Sequence, residues 1–168
     1  MPTETLISVE EYIRTSYRPD CDYVDGRTEE RNVGEWDHGR LQLKIGAYFL
    51  ARQLEWNTYA SAEQRVQVRE GRFRVPDVCV TLGDPREKIL TRPPFICIEV
   101  LSPDDRMSRV EKRIDDYLAM GVAYVWVVDP QTRKAYCATA ETGLCEVKTG
   151  VLKTENPAFE VPLAELFE

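Results

Sequence analysis

Two apolar runs separated by one amphipathic stretch constrain this chain most. FICIEVL, residues 95–101, is apolar on both faces apart from Glu99, and AYVWVVD, 123–129, is a second buried run. Such runs read as strands covered on both sides, the signature of a central place in a sheet. Between them, over about 105–120, Val110, Ile114, Tyr117 and Leu118 share one helical face, and Gly121 supplies the expected stop. Ser102-Pro103-Asp104 ends the first run and Pro130 ends the second. Strand, helix and strand in this order predict a right-handed βαβ unit with parallel strands.

The remaining segments predict an α+β or α/β chain with a mixed sheet. Ser8-Val9-Glu10-Glu11 is a capping box that starts a short helix running to about Thr15. Pro19-Asp20 is a turn, and CDYVDGRTEER reads as two short strands bent near Asp25-Gly26. Over 37–53, Leu41, Ile45, Tyr48 and Phe49 form one helical stripe with Asp37 as its expected N-cap. TYASAEQRVQVRE alternates around Val66 and Val68, and FRVPDVCVTL follows a hairpin turn at Glu70-Gly71. Weaker strands around 135–137 and 144–147 predict an antiparallel extension, and PLAELF a closing helix or turn. No repeat or linker interrupts the 168 residues, a length suited to a single domain spanning 1–168 with a real core.

A net charge of −7 argues against a surface coated in basic patches, while leaving room for a local basic groove. Five cysteines, at 21, 79, 97, 137 and 145, show no CxxC pair and no zinc spacing, as expected of reduced thiols used as small core residues. MPTETLISVEEY has no apolar signal region, and no stretch approaches the ~18 apolar residues of a membrane span. A soluble, cytoplasmic protein without a membrane partner is expected.

The two strand carboxylates raise the chemical question. In PDVCV, Asp77 and Cys79 share a face; in FICIEVL, Phe95, Cys97 and Glu99 do. If these strands pair antiparallel, Asp77 and Glu99 meet at one edge of the sheet. Close, buried carboxylates repel, so a positive group should accompany them. Mg²⁺ is one solution. Arg or Lys is the other: Asp77 would cap a turn after Pro76 while Glu99 pairs with Arg74 or Arg92. Residue spacing alone leaves both open.

Four motifs occur in order: Pro76-Asp77 opening a strand; Glu99-Val100-Leu101-Ser102-Pro103 at the end of the next; Tyr117 with Gly121-Val122; and Tyr124-Val125-Trp126-Val127-Val128-Asp129-Pro130. Together they resemble the Uma-type restriction endonucleases, a branch of the PD-(D/E)XK nuclease superfamily. DYVDG, the single histidine His38 leading into a helix, and VPLAELF extend the resemblance over nearly the whole chain. It implies a restriction-endonuclease-like mixed sheet flanked by helices and metal-assisted phosphodiester hydrolysis. Asp77 and Glu99 would hold Mg²⁺ or Mn²⁺, with the Val100 carbonyl completing the protein ligands. It also implies a nucleic-acid substrate, DNA foremost, and a homodimer.

The chain departs from that pattern at the catalytic lysine. The superfamily position two residues after the second acid is Leu101, and the Uma-type position four residues before Tyr117 is Arg113. Lys112 is adjacent, but a rotation of about 100° on a helix turns it toward solvent. The aspartate common four residues before that lysine is replaced by Arg109. Arginine can stabilise a developing phosphorane charge but stays protonated and cannot act as a base. Arg113 then either keeps an electrostatic role or marks a decayed site serving binding or regulation. An enzyme for another phosphate-bearing substrate is a third reading. Arg106, Arg109 and Arg113 share a stripe suited to phosphates, or to pairing with Asp104, Asp105 and Asp116. His38 is a candidate for catalysis or phosphate contact, or for bonding to the preceding loop. Gln64 is a candidate to line the pocket of Asp77, and Glu35 and Glu63 are candidate extra acids. Trp36, Trp56 and Trp126 are expected in the core.

Overall fold

The computed structural model describes residues 5–32 and 34–168, so the first four residues of MPTETLISVEEY lie outside the described residues. Ser8 accepts a hydrogen bond from the Glu11 N–H and starts α1 (Val9–Arg14). β1 (Asp22–Val24) and β2 (Arg27–Glu29) form the expected hairpin, turning at Asp25-Gly26, both at positive φ. α2 (Trp36–Ala51) buries His38, Leu41, Ile45 and Phe49, the predicted stripe with the histidine added. Its N-cap is Glu35 rather than Asp37, and no side chain caps it. Arg52 then kinks the chain into the short α3 (Gln53–Trp56).

TYASAEQRVQVRE holds two strands. β3 (Thr58–Ala62) and β4 (Val66–Arg69) are separated by Glu63, whose positive φ breaks the extended run, and they join different sheets. β5 (Arg72–Arg74) pairs back on β4 through the predicted hairpin. The chain continues through β6 (Val78–Leu82), β7 (Ile96–Val100), α4 (Met107–Met120) and β8 (Tyr124–Asp129). β9 (Lys134–Thr139), β10 (Gly143–Glu146), β11 (Val151–Lys153), β12 (Glu160–Pro162) and α5 (Leu163–Phe167) complete it. The β11–β12 hairpin has no counterpart in the sequence reading, since its strands are three residues long and carry no alternation to speak of.

The central sheet has the order β10-β9-β8-β7-β6-β3 and is mixed: β7 and β8 are parallel, joined through α4, and every other neighbouring pair is antiparallel. A second sheet, β2-β1-β5-β4, is antiparallel throughout. Strand alternation divides the core between the faces of the central sheet. Val78, Val80, Ile96, Ile98, Val100, Trp126 and Val128 pack with the α2 stripe, β11, β12 and α5. Cys79, Cys97, Val125 and Val127 pack with Val110, Ile114 and Tyr117 of α4 and with β4. Each large aliphatic side chain sealed this way contributes about 1.5–3 kcal/mol. A separate aromatic cluster, Tyr12, Tyr23 and Phe73, ties α1 to the second sheet.

Trp126 is in the core and Trp56 stacks on Phe159, but Trp36 is 81% exposed, against expectation: at the first position of α2 it points away from the buried stripe. All five cysteines are free thiols, three of them buried. Among the described residues no helix is long and apolar enough to cross a membrane.

Candidate active site

The register of β6 on β7 pairs Val78 with Ile98. Asp77 therefore stands one step beyond the last ladder pair, across from Glu99, at the edge where β7 ends. Both carboxylates are 3% exposed. Pro76 explains the placement of Asp77: it lacks an N–H and stops pairing, so the chain bends before β6 begins.

Every oxygen of this pair is engaged. Asp77 Oδ1 accepts from the guanidinium of Arg31. Asp77 Oδ2 accepts the Val100 N–H at 2.7 Å and lies 3.4 Å from His38 Nε2. Glu99 Oε2 accepts from Arg113 at 3.0 Å, and Oε1 accepts the Tyr117 hydroxyl at 2.7 Å. The Asp77 backbone carbonyl is bound as well, by Gln42 of α2 at 2.8 Å. The pairing of Glu99 with Arg74 or Arg92 does not occur: Arg74 is held by Asp22, Glu29 and Asp116, and Arg92 by Glu87.

Arg113 is the hinge of the site. Its Nε donates to Asp22 at 3.0 Å while its Nη1 holds Glu99, so one planar fork spans the two sheets. Asp22, from DYVDG, is 1% exposed and also accepts the Val75 N–H and Arg74. From there an ion-pair network runs outward through Arg74, Asp116, Arg72 and Asp25.

These neighbours set the protonation states. Burial pushes Asp77 up, but the hydrogen bond to His38 and the charge of Arg31 more than offset it and hold Asp77 below its usual range. The same bond to Asp77 holds His38 above its ordinary value, against burial. Burial pushes Glu99 up, to about 7; Arg113 opposes this and the charge of Asp77 adds to it. Asp77, low, and Glu99, high, are thus driven apart by their environments.

A small cavity of about 20 Å³, room for about one water-sized group, opens beside Arg31, His38, Asp77, Val100, Ser102 and Arg113. Next to it lies a groove of about 280 Å³ lined by Arg31, Asn32, Arg74, Arg109, Lys112 and Arg113 together with the acids Glu29, Glu30 and Asp105. Lys112 is exposed, as its helical angle predicts, and Arg109 donates to the Glu30 carbonyl. Neither Arg106, the N-cap of α4, nor Arg109 pairs with Asp104, Asp105 or Asp116; those last two acids hold Asn32 and the Ser102 N–H, and Arg72 and Arg74, respectively.

The structure brings together Asp77, Glu99, Arg113, His38 and Val100. Gln64 stands apart from them, bonded to the Arg65 and Lys88 carbonyls. Glu63 reaches the cluster's border, 3.8 Å from Arg31, and Glu35 is exposed at the start of α2. Arg31, Asp22 and Tyr117 escaped the sequence reading as site residues. Arg31 sits in a polar loop with no pattern around it, and Tyr117 read as a core-stripe and motif residue without a role at the acids. Asp22 carried a usable signal: an acid at the head of a strand, inside a motif already noted.

The donor set suits a hard divalent cation: two carboxylates and a backbone carbonyl offer oxygen alone, and Mg²⁺ is commonly held by one or two carboxylates plus substrate oxygens. Among the described residues no group of three or more His, Cys, Asp or Glu side chains could hold a metal. A cation at Asp77 would have to share it with Arg31.

A family model described as "Putative restriction endonuclease", Uma2, matches residues 9–165. Solved structures match too. One, titled a putative nuclease belonging to DUF820 from Anabaena variabilis, is 21% identical, with a TM-score of 0.82, covering 96% of this chain and 97% of that one. No curated protein matches.

Proposed function

The chain belongs to the Uma2 family, and from that premise we propose that it is a nuclease hydrolysing phosphodiester bonds in nucleic acid, DNA foremost, at the Asp77–Glu99 edge. The observation that carries this reading is the placement of the two acids across β6 and β7 with Arg113 of α4 bonded to Glu99. Asp77, Glu99 and the Val100 carbonyl would hold Mg²⁺ or Mn²⁺. When bound, such a cation supplies charge for a phosphoryl oxygen and acidifies a water.

The chain's own residues do the rest. The groove cations Arg109 and Lys112 offer phosphate contacts that lead toward the acids, confining positive charge within a chain of net −7. Arg113 offsets negative charge developing beside Glu99 and holds that side chain in place; it takes no proton. Tyr117 fixes the second oxygen of Glu99. His38 turns Nε2 toward Asp77 Oδ2, and that contact favours the charged form of its ring.

A second reading rests on a specific observation: all four carboxylate oxygens are already satisfied within the protein, Asp77 by an arginine. On it the fold binds nucleic acid without turnover. Single- and double-stranded DNA and RNA, incubated with purified protein and Mg²⁺, Mn²⁺ or EDTA, decide between them. Metal-dependent cutting lost in Asp77→Ala/Glu99→Ala supports the nuclease. Binding without cutting supports the second reading, and cutting that survives the double substitution sinks the assignment of the site.

A further inference from the structure

The ladders of the central sheet set four of the five cysteines face to face. Cys79 of β6 stands opposite Cys97 of β7, and Cys137 of β9 stands opposite Cys145 of β10. Residues opposite one another in an antiparallel pair share a face, with Cβ atoms about 4.5–5.5 Å apart. The two pairs differ in access. Cys79 and Cys97 are 1% and 0% exposed, inside the cluster that α4 and β4 cover. Cys145 is exposed on β10, the outer strand of the sheet, and Cys137 is half-buried.

The register suits a bond between the second pair. The Val147 N–H donates to the Ala135 carbonyl at 2.8 Å, two steps along the same alignment of β9 with β10. Hydrogen-bonded pairs alternate with open ones, so Cys137 and Cys145 are a hydrogen-bonded pair, with Cα atoms about 5.5 Å apart. That is an ordinary Cα spacing for a disulfide. The Cβ spacing of such a pair is wider than the ~3.8 Å mean of disulfides, so closing the bond strains the hairpin and leaves it easily reduced.

We infer that Cys137 and Cys145 form a reversible redox site whose oxidant is a low-molecular-weight disulfide, RSSR. Cys145, the exposed thiol, supplies the attacking thiolate. It bonds to one sulfur of RSSR and breaks the S–S bond; the departing thiolate takes up the proton that Cys145 gave up. Cys137 then attacks the Cys145 sulfur, forming the protein disulfide and releasing the second small thiol, which takes the Cys137 proton. Two protein thiols are oxidised and one RSSR is reduced to two RSH. The second attack is within one molecule, and this offsets the burial that pushes Cys137 up to about 11. Trp126 assists it. Trp126 stands opposite Cys137 on β8, and its buried indole N–H, which hydrogen-bonds to no group among the described residues, favours the Cys137 thiolate. Closed, the bond fastens β10, which has a neighbour on one side only, to β9. β8 separates this pair from the strands that carry the acids, so the inference does not rest on the reading of that site.

DTNB, itself an aromatic disulfide, tests the site in the full native chain. Two equivalents of thionitrobenzoate are expected. The first is released at a rate proportional to DTNB. The second follows at a rate independent of it, because Cys137 attacks within the same molecule. Peptide mapping then finds Cys137 joined to Cys145, and dithiothreitol reopens the bond. Oxidised glutathione is expected to yield the same bond. Cys137→Ser should stop at one equivalent and keep thionitrobenzoate on Cys145, while Cys145→Ser should release neither. A lasting adduct on Cys145 of the unsubstituted protein, with no second release, overturns the inference. So does a second release that survives Cys137→Ser. Should that variant misfold, mapping of the unsubstituted protein decides: a cross-link joining any other two cysteines overturns the inference as well.

Discussion

The guanidinium of Arg31 donates to Asp77 Oδ1 from a loop 46 residues earlier in the chain, with only 7% of the arginine side chain and 4% of the aspartate exposed. A buried charge pair of this kind balances itself; removing either partner strands the other. It also sets the arginine against any cation that would bind the same oxygen.

Arg31→Ala is therefore expected to lower stability by about 2–4 kcal/mol, read from urea unfolding at neutral pH, with His38 and the Val100 N–H retaining part of the compensation. The same substitution should enlarge the rise in melting temperature that Mn²⁺ produces, because a competing positive charge has gone. An equal Mn²⁺ response in both proteins would show that Arg31 and the cation do not compete.

Arg113 bonds Glu99 and Asp22 through separate nitrogens. A lysine ammonium offers no planar fork, so Arg113→Lys should keep one partner and cost about 1–2 kcal/mol, while Arg113→Ala should cost about 3–5 kcal/mol by leaving two buried acids unpaired. Paired unfolding curves give both values. Equal losses for Lys and Ala would mean that charge contributes nothing there.

His38 is the only histidine, so one imidazole resonance reports it. Its midpoint is expected above the ordinary 6.5, since the bond to Asp77 favours the charged ring, and Asp77→Asn should bring it down. The signs follow. His38, raised, contributes stability fully present below 6.5 and lost as pH rises through its folded value. Asp77, depressed, contributes stability present above its ordinary 3.8 and lost as pH falls through its folded value. Their joint contribution is complete between those two ordinary values. A His38 midpoint unmoved by Asp77→Asn would sever the link.

The cysteines make a fourth test. Cys145 is exposed, whereas Cys21, Cys79 and Cys97 are buried and Cys137, across the ladder from Cys145, is half-buried. Burial pushes Cys21 and Cys137 up to about 11 and Cys79 to about 12. A thiol reagent such as DTNB should titrate one cysteine rapidly in the native protein and all five in denaturant. The raised values also mean stability that is intact below 9.0 and fades as pH climbs through the folded values. Fast reaction of Cys79 or Cys97 would contradict the packing of β6 on β7.

The order of elements, the two-sided burial of β7 and β8, the helix between them and the carboxylates on facing positions were all readable along the chain. Periodicity and breakers are local properties, and Pro76, Gly121 and Pro130 act on their nearest neighbours. Folding alone decided what meets the acids. Arg31 approaches Asp77 from a patternless loop, and Asp22 reaches Arg113 across 91 residues from another sheet. A guanidinium can pair with any carboxylate within reach, so its partner is set by how the sheets pack and not by its place in the sequence.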